Sequence, residues 1–219
     1  MHVKFTLKLV LFTLLLPASL FAQQPPTTLA ELQHDWAVAE YQLKGDEQVK
    51  AYEALITKAD AAVEASPKSA DLLIWNGIIK SAFAGVKGGL GAMSYAKQAR
   101  KSLEAAIDID GDALSGSAYT SLGTLYFKVP GWPIGFGNDK KAVEYLQKAL
   151  AINPDGIDPN YFYADYLIEK KQWGEAKKYL LKAQAAAPRP DRPIADWGRQ
   201  QQIAEALAVV TGNLTPVGT

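Results

Sequence analysis

Two stretches, AVEYLQKALAI (142–152) and AKKYLLKAQAA (176–186), carry one pattern 34 residues apart. Ala142 superimposes on Ala176, Tyr145 on Tyr179 and Ala149 on Ala183, and each stretch is followed by a proline, Pro154 or Pro188. The apolar residues recur at helical spacing, whereas strand-like alternation of Val, Ile and Thr is nearly absent. Each stretch therefore reads as an amphipathic helix that ends where proline cannot continue it. A fixed period of this length points to stacked helical units.

The pattern extends upstream. Tyr119, Leu122, Gly123 and Tyr126 in AYTSLGTLYF (118–127) sit at the spacing of the first helix of such a unit. In the next unit Ala164 takes the glycine place and Leu167 the tyrosine place. An earlier copy shows Gly77 in WNGII, then Ala99, Leu103 and Ala106, with Gly111 instead of the proline. The first copy is fainter, with Trp36 in one helix and Ala62 and Pro67 closing the next. On these residues the chain resembles a tetratricopeptide-repeat array over residues 28–188. The resemblance implies an all-α, right-handed superhelix of about four helix pairs. The rival is an ordinary alanine-rich helical bundle, which would not produce the 34-residue register. Small residues at Gly123, Ala164, Ala142 and Ala176 are expected to let helix backbones approach closely.

After Pro188, residues 189–193 continue a proline- and arginine-rich run that reads as a rigid extended connector. Residues 194–210 then read as a carboxyl-terminal capping helix with Ile203, Leu207 and Val210 on one face.

The interval from Gly123 to Ala142 is seven residues longer than that from Ala164 to Ala176, and the interval from Gly77 to Ala99 about ten longer. The added residues place inserts at about 84–93 (AGVKGGLGAM) and 129–139 (VPGWPIGFGND). Both fall between the two helices of a unit and are expected on one edge of the array. GVKGGLGAM is not a phosphate-binding loop, because Lys87 precedes the glycines and no strand leads in. It reads as a flexible or tightly turned helix connection. In the second insert Trp132, Ile134 and Phe136 suggest an ordered flap folded over the array. That flap either seals its own helix pair or forms one wall of a binding site.

Residues 1–22, MHVKFTLKLVLFTLLLPASLFA, have the form of a secretory signal peptide: Lys4 and Lys8, an apolar middle, then Pro17, with cleavage expected near Ala22. The alternative, an uncleaved anchor, would need a longer apolar run. The expected address is the periplasm. There is no cysteine, so neither a disulfide nor a cysteine-borne lipid is expected. Removing residues 1–22 takes away two of the 23 basic side chains and none of the 23 acidic ones. A slightly acidic remainder without a basic block argues against nucleic acid or an anionic membrane as partner. No membrane insertion of the mature chain is expected.

His34 is the one histidine after residue 22 and reads as a surface helix residue. With no cysteine either, thiol catalysis and a Cys/His zinc site are excluded. Asp155 and Asp158 in NPDGIDPN suit turn geometry and helix capping. No catalytic residue, metal site or cofactor is assigned, and the chain is expected to be non-enzymatic.

The segments SAYTSLGTLYFKVPGWPIGFGNDKKAVEYLQKALAINPDGIDPNYFYADYL (117–167) and KGGLGAMSYAKQARKSLEAAIDID (87–110) together resemble exported bacterial tetratricopeptide proteins of the TRAP-transporter T-component type. That resemblance implies a periplasmic solute-binding protein as partner. This chain departs from the lipid-anchored members by lacking the cysteine that bears the lipid. In such an array the first helices line the concave face. The candidate inward-facing residues are Thr120, Thr124, Phe127 and Lys128, then Tyr161, Asp165 and Ile168, with Trp132 and Phe136 on the loop edge. This set suits either a partner protein held in the groove or a small polar solute bound in aid of uptake.

Overall fold

The computed structural model describes residues 27–214, so the expected signal peptide, residues 1–22, lies outside the described residues. Among them the structure is nine helices: α1 (Leu29–Tyr41), α2 (Gly45–Ala65), α3 (Ala70–Lys87), α4 (Gly89–Asp110), α5 (Ala113–Lys128), α6 (Asp139–Ile152), α7 (Ile157–Glu169), α8 (Trp173–Gln184) and α9 (Pro193–Leu214). Helices α1/α2, α3/α4, α5/α6 and α7/α8 form four packed pairs, and α9 packs on α8. The odd-numbered helices also touch one another in succession, and so form the inner layer.

The repeated residues explain the pairs. Ala99, Ala142 and Ala176 are fully buried, as are Leu103, Leu146 and Leu180, and Ala106, Ala149 and Ala183. Each triplet puts a leucine knob between two alanines on the face of a second helix. The first helix of the pair supplies the space it enters. A Cβ on Gly77 would lie 2.5 Å from Leu103 Cγ, and one on Gly123 would lie 2.6 Å from Leu146 Cγ. Gly123→Val is thus expected to destabilise the fold by about 1–3 kcal/mol through overpacking. A melting temperature lower by about 2–4 °C per kcal/mol in thermal denaturation would register it.

The first pair follows the same plan with large and small positions exchanged. Its second helix buries Leu55, Ala59 and Ala62 at the same spacing, and Trp36 of α1 shares their core cluster with Trp75. Between the first two pairs, Asp60 accepts hydrogen bonds from Asn76 Nδ2 and Lys80 Nζ, each 2.6 Å long. Ser102 in turn donates to Asn76 Oδ1 (2.8 Å), so the buried amide is satisfied on both sides.

The two inserts turn out differently. Residues 84–93 form almost no loop, because the extra length goes into α3 and α4, which run to Lys87 and restart at Gly89. Gly88 and Gly89, at φ +59° and +60°, reverse the chain in a left-handed conformation that favours glycine. The connection is tight rather than flexible. Residues 129–138 do form a loop. The N–H of Gly137 donates to the Pro130 carbonyl (2.9 Å), and that of Asn138 to the Tyr126 carbonyl (2.8 Å). Phe136 folds back, edge-on to Tyr126 at 5.6 Å and under the Arg100 guanidinium of α4 at 4.5 Å. A Cβ on Gly135 would also meet Met93, so the loop does lie against the other insert. The expectation of an apolar flap fails at its tip, however: Trp132 is 89% exposed and Ile134 72%. The N–H groups of Ile134 and Gly135 both donate to the Gly131 carbonyl (3.1 Å each), closing a turn at the tip that leaves these side chains in solvent.

The run at 189–193 is not an extended connector. The Arg192 N–H donates to the Arg189 carbonyl (2.9 Å), which closes a turn. The turn sends α9 back across the inner layer to reach α1. There Ala195 joins the core cluster of α1–α3, and the backbone of Gly198 lies against the Tyr41 ring. The last helix therefore caps α8 and also closes the array on its first helix.

Candidate functional site

Closure leaves a partly enclosed cavity of about 970 Å³ on the inner face. Helices α1, α3, α5, α7 and α9 supply most of its wall, together with the start of α4, Val129 and Pro130 of the loop, and the turns before α7 and α9. Of the residues expected in the groove, Thr120, Thr124, Lys128 and Tyr161 are on this wall. Thr120 is buried, and Thr124 donates its hydroxyl proton to the Thr120 carbonyl (2.9 Å). Lys128 is held by Asp165 (3.1 Å) and Glu169 (3.0 Å). Burial opposes its charge, but the two carboxylates outweigh that and raise its pKa.

The other candidates lie elsewhere. Phe127 packs edge-on to Tyr166 at 5.6 Å, between α5 and α7. Ile168 packs against the α7/α8 core cluster, and Asp165 is engaged by Lys128 away from the cavity wall. Phe136 belongs to the loop's own packing, and Trp132 stands out from the surface without joining the cavity.

The structure adds a group that the sequence pattern did not single out. Arg189, Arg192 and Arg199 converge on the cavity from the turn and from α9, facing Trp36 and Trp75 of the first two pairs. Asp158 is the hub. It is not a turn residue: it lies in the first turn of α7, where its Oδ2 pairs with Arg189 Nη1 (2.7 Å) and its Oδ1 with Arg199 Nε (2.9 Å). Asp196 takes the rest of Arg189, accepting from its backbone N–H (2.6 Å), its Nε (2.7 Å) and its Nη2 (2.5 Å). Arg199 Nη1 also donates to Gln202 Oε1 (2.6 Å), which accepts a longer bond from the Tyr41 hydroxyl (3.4 Å). One network thus ties α7, the turn, α9 and α1 together.

The electrostatics follow from this geometry. Burial alone would raise the pKa of Asp158, but Arg199, Arg189 and Arg192 hold it well below the usual carboxylate range. Burial works against the charge of Arg199, and the Asp158 carboxylate beside it helps to hold its pKa up. Burial pushes Tyr41 up to about 12, so its hydroxyl stays protonated. Arg192 differs. Burial and then the neighbouring Arg189 lower its pKa, and its Nε is buried without a hydrogen-bond partner. Its guanidinium lies over the Trp75 ring, 4.9 Å from the centroid.

Chemically, the wall offers guanidinium donors, aromatic faces and hydroxyls around one volume. Such a surface is equipped to bind, by charge-assisted hydrogen bonds and stacking. Among the described residues no helix is long and apolar enough to cross a membrane. Among curated proteins none matches this chain. Residues 136–195, from the end of the loop through α6, α7 and α8 to the start of α9, match the tetratricopeptide repeat family model, and with four stacked helix pairs the fold is an all-α superhelix of tetratricopeptide type.

Proposed function

We propose that this chain is an exported, non-enzymatic binding module of the cell envelope that holds an extended segment of a partner protein in its central cavity. The supporting observation is the closure of the array by α9, which turns the concave face into a cavity walled by arginines and aromatics. Tetratricopeptide repeats generally mediate protein–protein interaction and are typically non-enzymatic scaffolds, which fits this reading. The cavity is too small for a folded domain. A strand or chain end fits, while the loop tip at Trp132 and Ile134 offers an outer apolar contact. Export rests on the form of residues 1–22. A solute-binding protein is the partner that the T-component resemblance implies.

The test is a photo-crosslinking amino acid placed at position 132 or 161 and activated in intact cells of the native host. One envelope protein captured from both positions is the expected result. Capture of nothing above background from either position would overturn the reading. Trp132→Ala is expected to reduce recovery of that partner while changing stability by no more than about 0.5 kcal/mol, since the side chain packs on little.

A second reading is favoured by the size of the cavity. About 970 Å³ falls in the range of small-molecule pockets. On this reading the cavity binds a small solute as an accessory to a TRAP-type uptake transporter. Native mass spectrometry of the gently purified protein would then show a retained mass of a few hundred daltons.

A further inference from the structure

We propose that Arg192, at the cavity wall between Trp75 and the Arg189/Arg199 pair, is the headgroup subsite for an organic monoanion. The inference rests on the reading of the cavity as a binding site, and it names the ligand class.

The argument begins with the charges around Arg192. Three guanidiniums converge here, and two carboxylates answer them. Asp158 is shared between Arg189 and Arg199, and Asp196 is taken up by Arg189 through three hydrogen bonds. Arg192 is left over. Among the described residues no carboxylate lies within ion-pair distance of it, and its Nε is buried with no acceptor. The remaining acidic residues of the wall do not serve it. Glu40 accepts a 2.5 Å hydrogen bond from the Tyr52 hydroxyl, and Asp155 and Asp191 are exposed.

Arg192 is half-buried: its Nε has lost its water without gaining an acceptor, while the rest of the fork stays open to the cavity. An unpaired buried donor is costly, and a ligand oxyanion in the cavity would relieve it. The side chain is also pre-positioned: its guanidinium rests over the Trp75 ring, and its backbone N–H anchors the turn. A planar fork held in this way matches an oxyanion in two-point contact. One guanidinium without a direct carboxylate partner calls for one negative charge, hence a monoanion. The body of the ligand would lie along Trp75, Ile78, Ala82 and Leu125, all on the same wall, so it should be apolar. A free organic acid and the carboxyl terminus of a bound chain share this chemistry.

Isothermal titration calorimetry on the mature chain tests it, with 1-naphthoate and its uncharged twin 1-naphthalenemethanol. A second arm uses a short peptide ending in phenylalanine, as the free acid and as the amide. We expect at least tenfold tighter binding of the charged member of a pair, and loss of that preference in Arg192→Gln. Arg192→Gln should keep its helical circular dichroism; Arg192→Lys, which retains the charge without the fork, should bind the anion with intermediate affinity and covers the case in which the glutamine variant fails to fold. Preference for naphthoate assigns the site to free organic acids, and preference for the peptide acid alone assigns it to a chain terminus. Equal binding of charged and uncharged members, or an unchanged preference in both Arg192 variants, overturns the subsite while leaving the cavity a binding site. Absence of binding by all four probes overturns both.

Discussion

Asp158→Ala should destabilise the protein by about 3–5 kcal/mol, because it strips the shared carboxylate from two guanidiniums and leaves them in a site built to hide it. For a chain of this size that corresponds to a melting temperature lower by roughly 10 °C. The side chain of Arg199 is only 7% exposed, so water cannot easily replace what it loses. Loosening should spread to both ends of the array, since Arg199 also holds Gln202, which bonds Tyr41 of α1. The effect carries a pH signature. The folded-state pKa of Asp158 lies below its unfolded value, so its contribution is complete above the unfolded pKa of about 4 and drains away as pH falls toward the folded one. The gap in melting temperature between wild type and Asp158→Ala is accordingly expected to be constant from pH 8 to about 5 and to narrow below that. A gap that persists unchanged at pH 3 would show that the ionised carboxylate is not what matters.

The second large effect is expected at Gly198. A Cβ there would drive into the Tyr41 ring, which is pinned edge-on by Trp36 at 5.7 Å and by its bond to Gln202. Gly198→Leu should therefore separate α9 from α1 while α9 keeps its contacts with α8. Overpacking of this kind costs about 1–3 kcal/mol for a modest change, and a leucine leaves the helices no small adjustment to make. The readout that distinguishes an opened array from general unfolding is small-angle scattering: a larger radius of gyration with helical content retained. If the variant keeps the wild-type radius and melting temperature, the contact between first and last helix does not hold the cavity closed.

These two sites mark the limit of what the linear pattern could reveal. The alanine–leucine–alanine triplets were legible because each is a local code: helical spacing along one segment sets which faces meet, and Gly77 or Gly123 marks where the leucine goes in. The first pair was harder to see because Leu55 and Ala59 exchange the large and small places. The loop 129–138 was legible as an insert, yet the exposure of Trp132 was not. Apolar composition predicts burial only when the backbone can fold back over a neighbour, and the turn at Gly131 to Gly137 does not allow it at the tip. Four of the proposed groove residues are on the cavity wall; Phe127 and Ile168 are diverted into packing between neighbouring helices, Asp165 into an ion pair with Lys128, and Phe136 into the loop's own packing, while Trp132 stands in solvent.

By itself, then, the sequence determined the all-α repeat, the pairing within each unit and the packing of each unit on the next, because those contacts link residues close in the chain and recur 34 positions apart in the last two units, with an insert lengthening the interval upstream. Only the tertiary structure decided that the array closes and that three arginines, only one of them without a carboxylate, face one cavity. Closure depends on the rotation accumulated over four helix pairs, and it brings Tyr41 to Gln202, 161 residues apart in the chain. No local pattern records so distant a meeting.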